Sequence, residues 1–281
     1  MRTKVALFVA AVAIIAGVGI ALSRSGVGPA AYPEGCSALV QGHSVGIDIE
    51  QAENATLIAA IGVRRGLPAR AVSIALATAY QESKIRNLTH GDRDSVGLFQ
   101  QRPSQGWGRR AQILDESYAI NRFYDALGQV AGYETMQITV AAQRVQRSGF
   151  PEAYAVHAAD ARALASALTG YSAGGQFSCV VHGSSQRGTA DAVIGSLSRG
   201  FGYLNMSRTG TRQDLVVRVP PGTAGNRTGW AVAAYLLAHA KRLHLTEVSF
   251  DHQVWQAGKA AAKGWTSHAA ARPTVVSVSL G

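Results

Sequence analysis

Apolar residues recur at spacings of three and four through residues 50–66, where Ala52, Ala55, Ile58, Ala59 and Val63 share one helix face. Gly66 stops that helix, and Pro68 starts the next at its first turn. The helix over 68–84 carries Ile74, Thr78 and Glu82 at spacing four, beside Ala75 and Ala79. Amphipathic stretches follow at 114–131 and 134–147, then shorter ones at 150–157 and 159–168. No strand-like run of comparable strength falls between 50 and 170, so this part reads as mainly α. A Gly/Ser-rich interval at 170–190 closes it, and the pattern then changes. Leu215–Val219 and Thr274–Leu280 read as strands, the second alternating Val275, Ser277 and Ser279 against Val276, Val278 and Leu280. Trp230–Leu243 reads as an amphipathic helix, and Glu247–Phe250 with Gln253–Trp255 as a hairpin. The expected architecture is a mainly α domain at 41–180, a linker at 181–210 and a small α+β accessory domain at 211–281.

The first forty residues differ in kind. Arg2 and Lys4 precede Val5–Leu22, 18 residues without a charge, and Arg24 follows. That length suffices for a helix to cross a bilayer and exceeds the usual core of a signal peptide. An N-terminal transmembrane helix over 1–23 is therefore expected, with a cleaved signal near Gly28 and Ala30 as the alternative. Gly26, Gly28, Pro29, Pro33 and Gly35 make 24–40 a tether. The basic flank places the N-terminus inside. The expected location is thus the cell membrane, single-pass, with the bulk of the chain extracytoplasmic.

Cys36 and Cys179 fit an exported chain, where an even number of cysteines usually pairs. Closing a loop of that size is worth roughly 4 to 5 kcal/mol. Two buried thiols are the other reading. Scattered histidines and no Cys-x-x-Cys argue against a metal, and no cofactor is expected. The net charge is +10, and residues 190–281 hold ten Lys and Arg against four Asp and Glu. Such a surface suits anionic wall polymers or phospholipid better than nucleic acid, or is simply solvated.

The candidate chemistry starts at Glu82, in the last turn of its helix. The negative end of the helix dipole opposes a charged carboxylate there, and an enclosing cleft would act the same way. Both favour a proton donor of the kind that sugar-bond cleavage needs. An exposed glutamate paired with Lys84 or Arg86 is the bland alternative. Downstream, Gly97 allows a turn, Leu98 and Phe99 anchor it, and Gln100 and Gln101 offer uncharged amides to sugar hydroxyls. Trp107, between Gly106 and Gly108, suits stacking on a sugar ring.

Glu82-Ser83 at a helix end followed by Gly97-Leu98-Phe99-Gln100 resembles the lysozyme-like superfamily, specifically lytic transglycosylases and goose-type lysozymes. Gly91-Asp92-Arg93 is similar to the loop between these elements in the goose-type enzymes. The resemblance covers residues 50–170. It implies a mainly α lysozyme-like domain, Glu82 as catalytic acid and then base, and Asp92 as auxiliary. Ser83, Gln100, Gln101, Trp107, Gln143 and Tyr154 would hold substrate. A second goose-type aspartate position falls on Arg102, and Val140–Gln146 stands where transglycosylases carry Ala-x-Tyr-Asn-Ala-Gly. The chain is also similar to actinobacterial exported proteins sharing Gln81-Glu82-Ser83 and the Gly97–Gly108 run, some labelled metal transporters. One possible span and no metal-ligand cluster fit transport poorly. Peptidoglycan glycan strands are the implied partner. Their cleavage at the bond from N-acetylmuramic acid to N-acetylglucosamine is the leading expectation. A catalytically inactive wall-binding or scaffolding protein is the alternative.

Overall fold

The computed structural model describes residues 33–148, 152–210 and 214–281. Helix α1 (Ile49–Arg64) starts at a capping box: Asp48 accepts from the Gln51 amide, and the Gln51 side chain accepts from the Asp48 amide, both at 3.0 Å. It stops short of Gly66, which stands at φ 67°. Helix α2 (Ala69–Ser83) follows, with Pro68 as its cap residue. The helical part continues with α3 (Glu116–Gly128), α4 (Ile138–Gln146) and α5 (Ala158–Leu168).

Strands β1 (Gly35–Val40), β2 (His43–Ile47) and β3 (Phe177–Val180) form an antiparallel sheet in the order β2-β1-β3. Cys36 and Cys179 lie directly opposite each other on β1 and β3 and are joined as a disulfide. Helix α6 (Ala190–Phe201) then leads to β4 (Asn205–Thr209) and β5 (Asp214–Arg218). Helix α7 (Thr223–Ala238), β6 (Leu245–Phe250), β7 (Gln253–Gln256), β8 (Thr266–Ser267) and β9 (Val275–Leu280) complete the chain. The second sheet has six antiparallel strands in the order β4-β5-β9-β6-β7-β8. Alternation buries Leu215, Val217, Val248, Val276 and Val278, and α7 packs against β6 and β9.

Helix α1 explains why Glu34–Gly281 forms one compact unit. Its residues from Ala52 to Gly62 are buried apart from Glu53, because it packs against α2, α3 and α5 and also against α6 and α7. Close approach requires small residues. A Cβ on Gly200 of α6 would lie 2.9 Å from the Ala60 methyl and 3.2 Å from the Tyr235 ring.

Two expectations are corrected here. The fold of the described residues is not a mainly α domain followed by a small α+β domain. It is a mixed α/β arrangement with two antiparallel sheets of three and six strands. The three-stranded sheet escaped the pattern because β1 and β2 are short, and β1 pairs with β3 from far along the chain, at the disulfide and the residues beside it. The 181–210 stretch expected as a linker carries α6 and β4. The anchor over 1–23 lies outside the described residues, as does most of the 24–40 tether. Among the described residues no helix is long and apolar enough to cross a membrane, so a single-pass membrane location is not supported.

One buried titratable group makes the fold sensitive to acid. His239, 3% exposed, gives its Nδ1 proton to the Tyr235 carbonyl at 2.8 Å and stacks on the Tyr235 ring. Burial, with Arg242 nearby, pulls its pKa down from 6.5 to about 3. A depressed folded-state value means this contribution is complete above pH 6.5 and is lost as the pH falls toward 3. Urea unfolding at pH 6.5 and 5 is expected to show about 2 kcal/mol less stability at the lower pH from this group. His239→Phe should remove that increment, and an identical pH dependence in the variant would count against it.

Candidate functional site

The last turn of α2 is held from three directions. Lys84 and Ile85 both take left-handed backbone angles, φ 57° and 59°, and the Ile85 amide donates to the Ala79 carbonyl at 3.0 Å. Buried Asn54 of α1 donates its amide to the Ile85 carbonyl at 2.9 Å. The Ser83 hydroxyl is buried and donates to the Leu98 carbonyl at 2.7 Å, tying α2 to the following turn. Ser83 is therefore a brace rather than a sugar ligand.

That turn is built as a small clasp. Val96 and Gln101 exchange backbone hydrogen bonds of 3.0 Å in each direction. Gly97 stands at φ 81°, and a Cβ there would come within 2.9 Å of the Ile113 carbonyl. Leu98 and Phe99 are buried, and Phe99 stacks on Phe123 at 4.4 Å. Gln100 folds back: its Oε1 accepts from Ser95 Oγ at 2.9 Å and its Nε2 donates to the Gly97 carbonyl at 3.3 Å. Gly91 makes room, since a Cβ there would lie 1.7 Å from Gln100 Oε1. Gln101 is 1% exposed and donates to the Ala119 carbonyl at 3.2 Å. Gln143 donates to the Ser148 carbonyl at 2.7 Å and accepts from its hydroxyl at 2.9 Å. All three amides expected to hold sugar are thus engaged by the protein itself.

Glu82 has a different partner from any expected. The Tyr154 hydroxyl donates to Glu82 Oε1 at 2.7 Å. Tyr154 is 1% exposed, and burial, reinforced by the Glu82 charge, raises its phenol well above its ordinary pKa. It therefore stays protonated and can only donate toward Glu82. One turn on, His157 donates from Nε2 to Gln81 Oε1 at 3.0 Å, while its ring lies 4.6 Å from that of Tyr80. Burial first, and Lys84 second, lower the His157 pKa and keep it neutral near pH 7. The 154–157 segment so clamps both faces of the final α2 turn. His157 was not singled out from sequence, although its three-residue offset from Tyr154 is helical spacing.

Asp92 makes no hydrogen bond to Glu82 among the described residues. Its side chain is 88% exposed, with Arg93 at 3.8 Å. Asp94 is the loop's engaged carboxylate, accepting from Arg102 Nε at 2.8 Å and from the Ser104 amide and hydroxyl. Arg102 and Ser104 hold Asp94 far below the usual carboxylate range. This gives Arg102 a structural task where goose-type enzymes place an aspartate.

A cleft of about 840 Å³ lies beside this machinery, within the range of ligand sites. Gln105 and Trp107 wall it from the turn, Arg122 from α3, and Arg144, Gln146 and Arg147 from the end of α4. Arg122 Nε is buried without a partner among the described residues. Glu82 does not line this cleft. A bonded path joins them: Ser83 holds Leu98, and Gln146 Nε2 donates to the carbonyl of the adjacent Phe99 at 2.8 Å. Among the described residues no group of His, Cys, Asp and Glu is arranged to hold a metal ion.

The comparisons point to another part of the chain. Residues 198–273 match a family model described as VldE, C-terminal domain. The match runs from the end of α6 through β8 and includes none of the residues around Glu82. No curated protein matches the chain.

Proposed function

We propose that the protein cleaves peptidoglycan glycan strands by a single-carboxylate mechanism, with Glu82 as acid and then base. The observation that carries this reading is the Tyr154–Glu82 hydrogen bond at the braced end of α2. It fixes one carboxylate oxygen and leaves Oε2 as the oxygen that can carry and deliver a proton. Glu82 would protonate the glycosidic oxygen, then recover a proton as the 6-hydroxyl of the muramic acid residue closes onto C1. Atoms balance without water, which is the transglycosylase outcome the Glu82 and Gly97–Gln100 motifs resemble. The exposure of Asp92 and the capture of Asp94 by Arg102 favour this over hydrolysis, which needs a second carboxylate to position water. Trp107 and Gln105 would receive the glycan in the adjoining cleft.

The test is incubation of the full chain with purified peptidoglycan, followed by mass spectrometry of soluble products. Anhydro-muropeptides are expected; reducing ends would replace transglycosylation by hydrolysis. Tyr154→Phe keeps the ring but removes the anchor on Glu82. It is expected to lower kcat about tenfold with KM unchanged, and a full-rate variant would separate Tyr154 from the chemistry. The internal engagement of Gln100, Gln101 and Gln143 favours a second reading, a wall-binding protein that retains the cleft without turnover. Binding with no released product would select it.

A further inference from the structure

The six-stranded sheet has an outer face that neither α7 nor the Glu82 site uses. On it a cavity of about 420 Å³ opens between the strands and the loop that precedes β9. Strand register fixes what lies there. Ser207, Val216, Ser277, Ser249 and Val254 form one lateral row across β4, β5, β9, β6 and β7. Arg218 begins the next row, opposite Val275, and Arg272 stands three residues before Val275 on the bordering loop. Two guanidinium groups therefore mark one end of the cavity and a line of hydroxyls its floor.

The charge balance is one-sided. No acidic residue lines the cavity, and neither Arg218 nor Arg272 has a carboxylate partner among the described residues. Arg218 Nη1 donates only to the Ser207 hydroxyl, at 2.6 Å. The third arginine at the rim, Arg208, is already held by Asp191 of α6. His268 adds a further nitrogen donor to the lining. Two uncompensated, forked cations facing one hollow are suited to the oxygens of a phosphate.

We infer that this cavity binds a phosphate ester of a polyol or sugar. Arg218 and Arg272 take the phosphate, Ser249 and Ser277 take hydroxyls of the alcohol part, and Val216 and Val275 meet its carbon skeleton. A volume of about 420 Å³ leaves room for an alcohol part beside the phosphate. The site is separate from Glu82 and stands whether or not glycan cleavage does.

The test is a titration of the full chain with glycerol 3-phosphate, glycerol and inorganic phosphate, read by the backbone amide resonances of Ser207, Ser249 and Ser277. Saturable shifts are expected with glycerol 3-phosphate, binding about tenfold tighter than inorganic phosphate, and none with glycerol. Arg218→Gln with Arg272→Gln should weaken binding about a hundredfold. Ser277→Asp, which places a carboxylate on the floor, should abolish it while leaving thermal melting unchanged. No saturable shift, equal affinity in the double variant, or phosphate binding as tightly as its ester would each overturn the inference. Sedimentation with phosphatidylglycerol vesicles against soluble poly(glycerol phosphate) identifies the source of the ester. Binding to either, lost in the double variant, supports the site, and binding to neither overturns it.

Discussion

Glu82→Gln is expected to slow release of muropeptides from purified peptidoglycan by about 10²- to 10⁴-fold. The substitution is close to isosteric, and the amide oxygen can still accept from Tyr154. What it lacks is an acidic proton at the position of Oε2, so the glycosidic oxygen leaves unprotonated. Because the cleft walls at Trp107 and Gln146 are untouched, glycan binding by the variant should match wild type in a pull-down with insoluble wall. A change confined to turnover is the signature of a group acting in the transition state. Turnover at the wild-type rate would end the enzymatic proposal, and loss of binding together with turnover would point to misfolding instead.

Removing the disulfide should have the largest effect on stability. Cys36 and Cys179 close a separation of 143 residues. Chain-entropy reasoning assigns roughly 4 to 5 kcal/mol to such a link. For a chain of this size that corresponds to a fall in Tm of about 10 to 20 °C. Cys36→Ser with Cys179→Ser, or reductant added to the wild type, should give the same shift in a thermal melt. Activity should weaken as well, because β1 packs against α5, and α5 packs against α2, whose end carries Glu82. A shift below about 2 °C would mean that the β1–β3 pairing holds without its covalent link.

Legibility followed how local each cause was. The spacing of Ala52, Ala55, Ile58 and Ala59 and the stops at Gly66 and Pro68 are written within a few residues, and α1 and α2 lie where that pattern puts them. The alternation over 274–280 likewise corresponds to β9. Helix α7 begins earlier than the Trp230–Leu243 pattern indicated, because Gly225 and Asn226 look like turn residues. In the fold Gly225 instead passes against Pro220, where a Cβ would lie 1.7 Å from its carbonyl. The small sheet was hidden because its third strand is recruited from far along the chain. At the site, sequence could nominate Gln100 and Gln101 as amides near a turn. It could not show that Ser95 and Ala119 already occupy them, which depends on Gly91 and α3 folding alongside. Tyr154 reads from the resemblance as a substrate contact, whereas in the fold its hydroxyl bonds to Glu82.

The many-sided burial of α1 limits how the chain can be divided. A fragment ending near residue 185 would retain every residue around Glu82 yet lose α6 and α7, baring oily surface on the central rod that they normally cover. Such a truncated piece should clump or be digested rather than behave as a minimal enzyme, so laboratory dissection is better done by point substitution than by scissors.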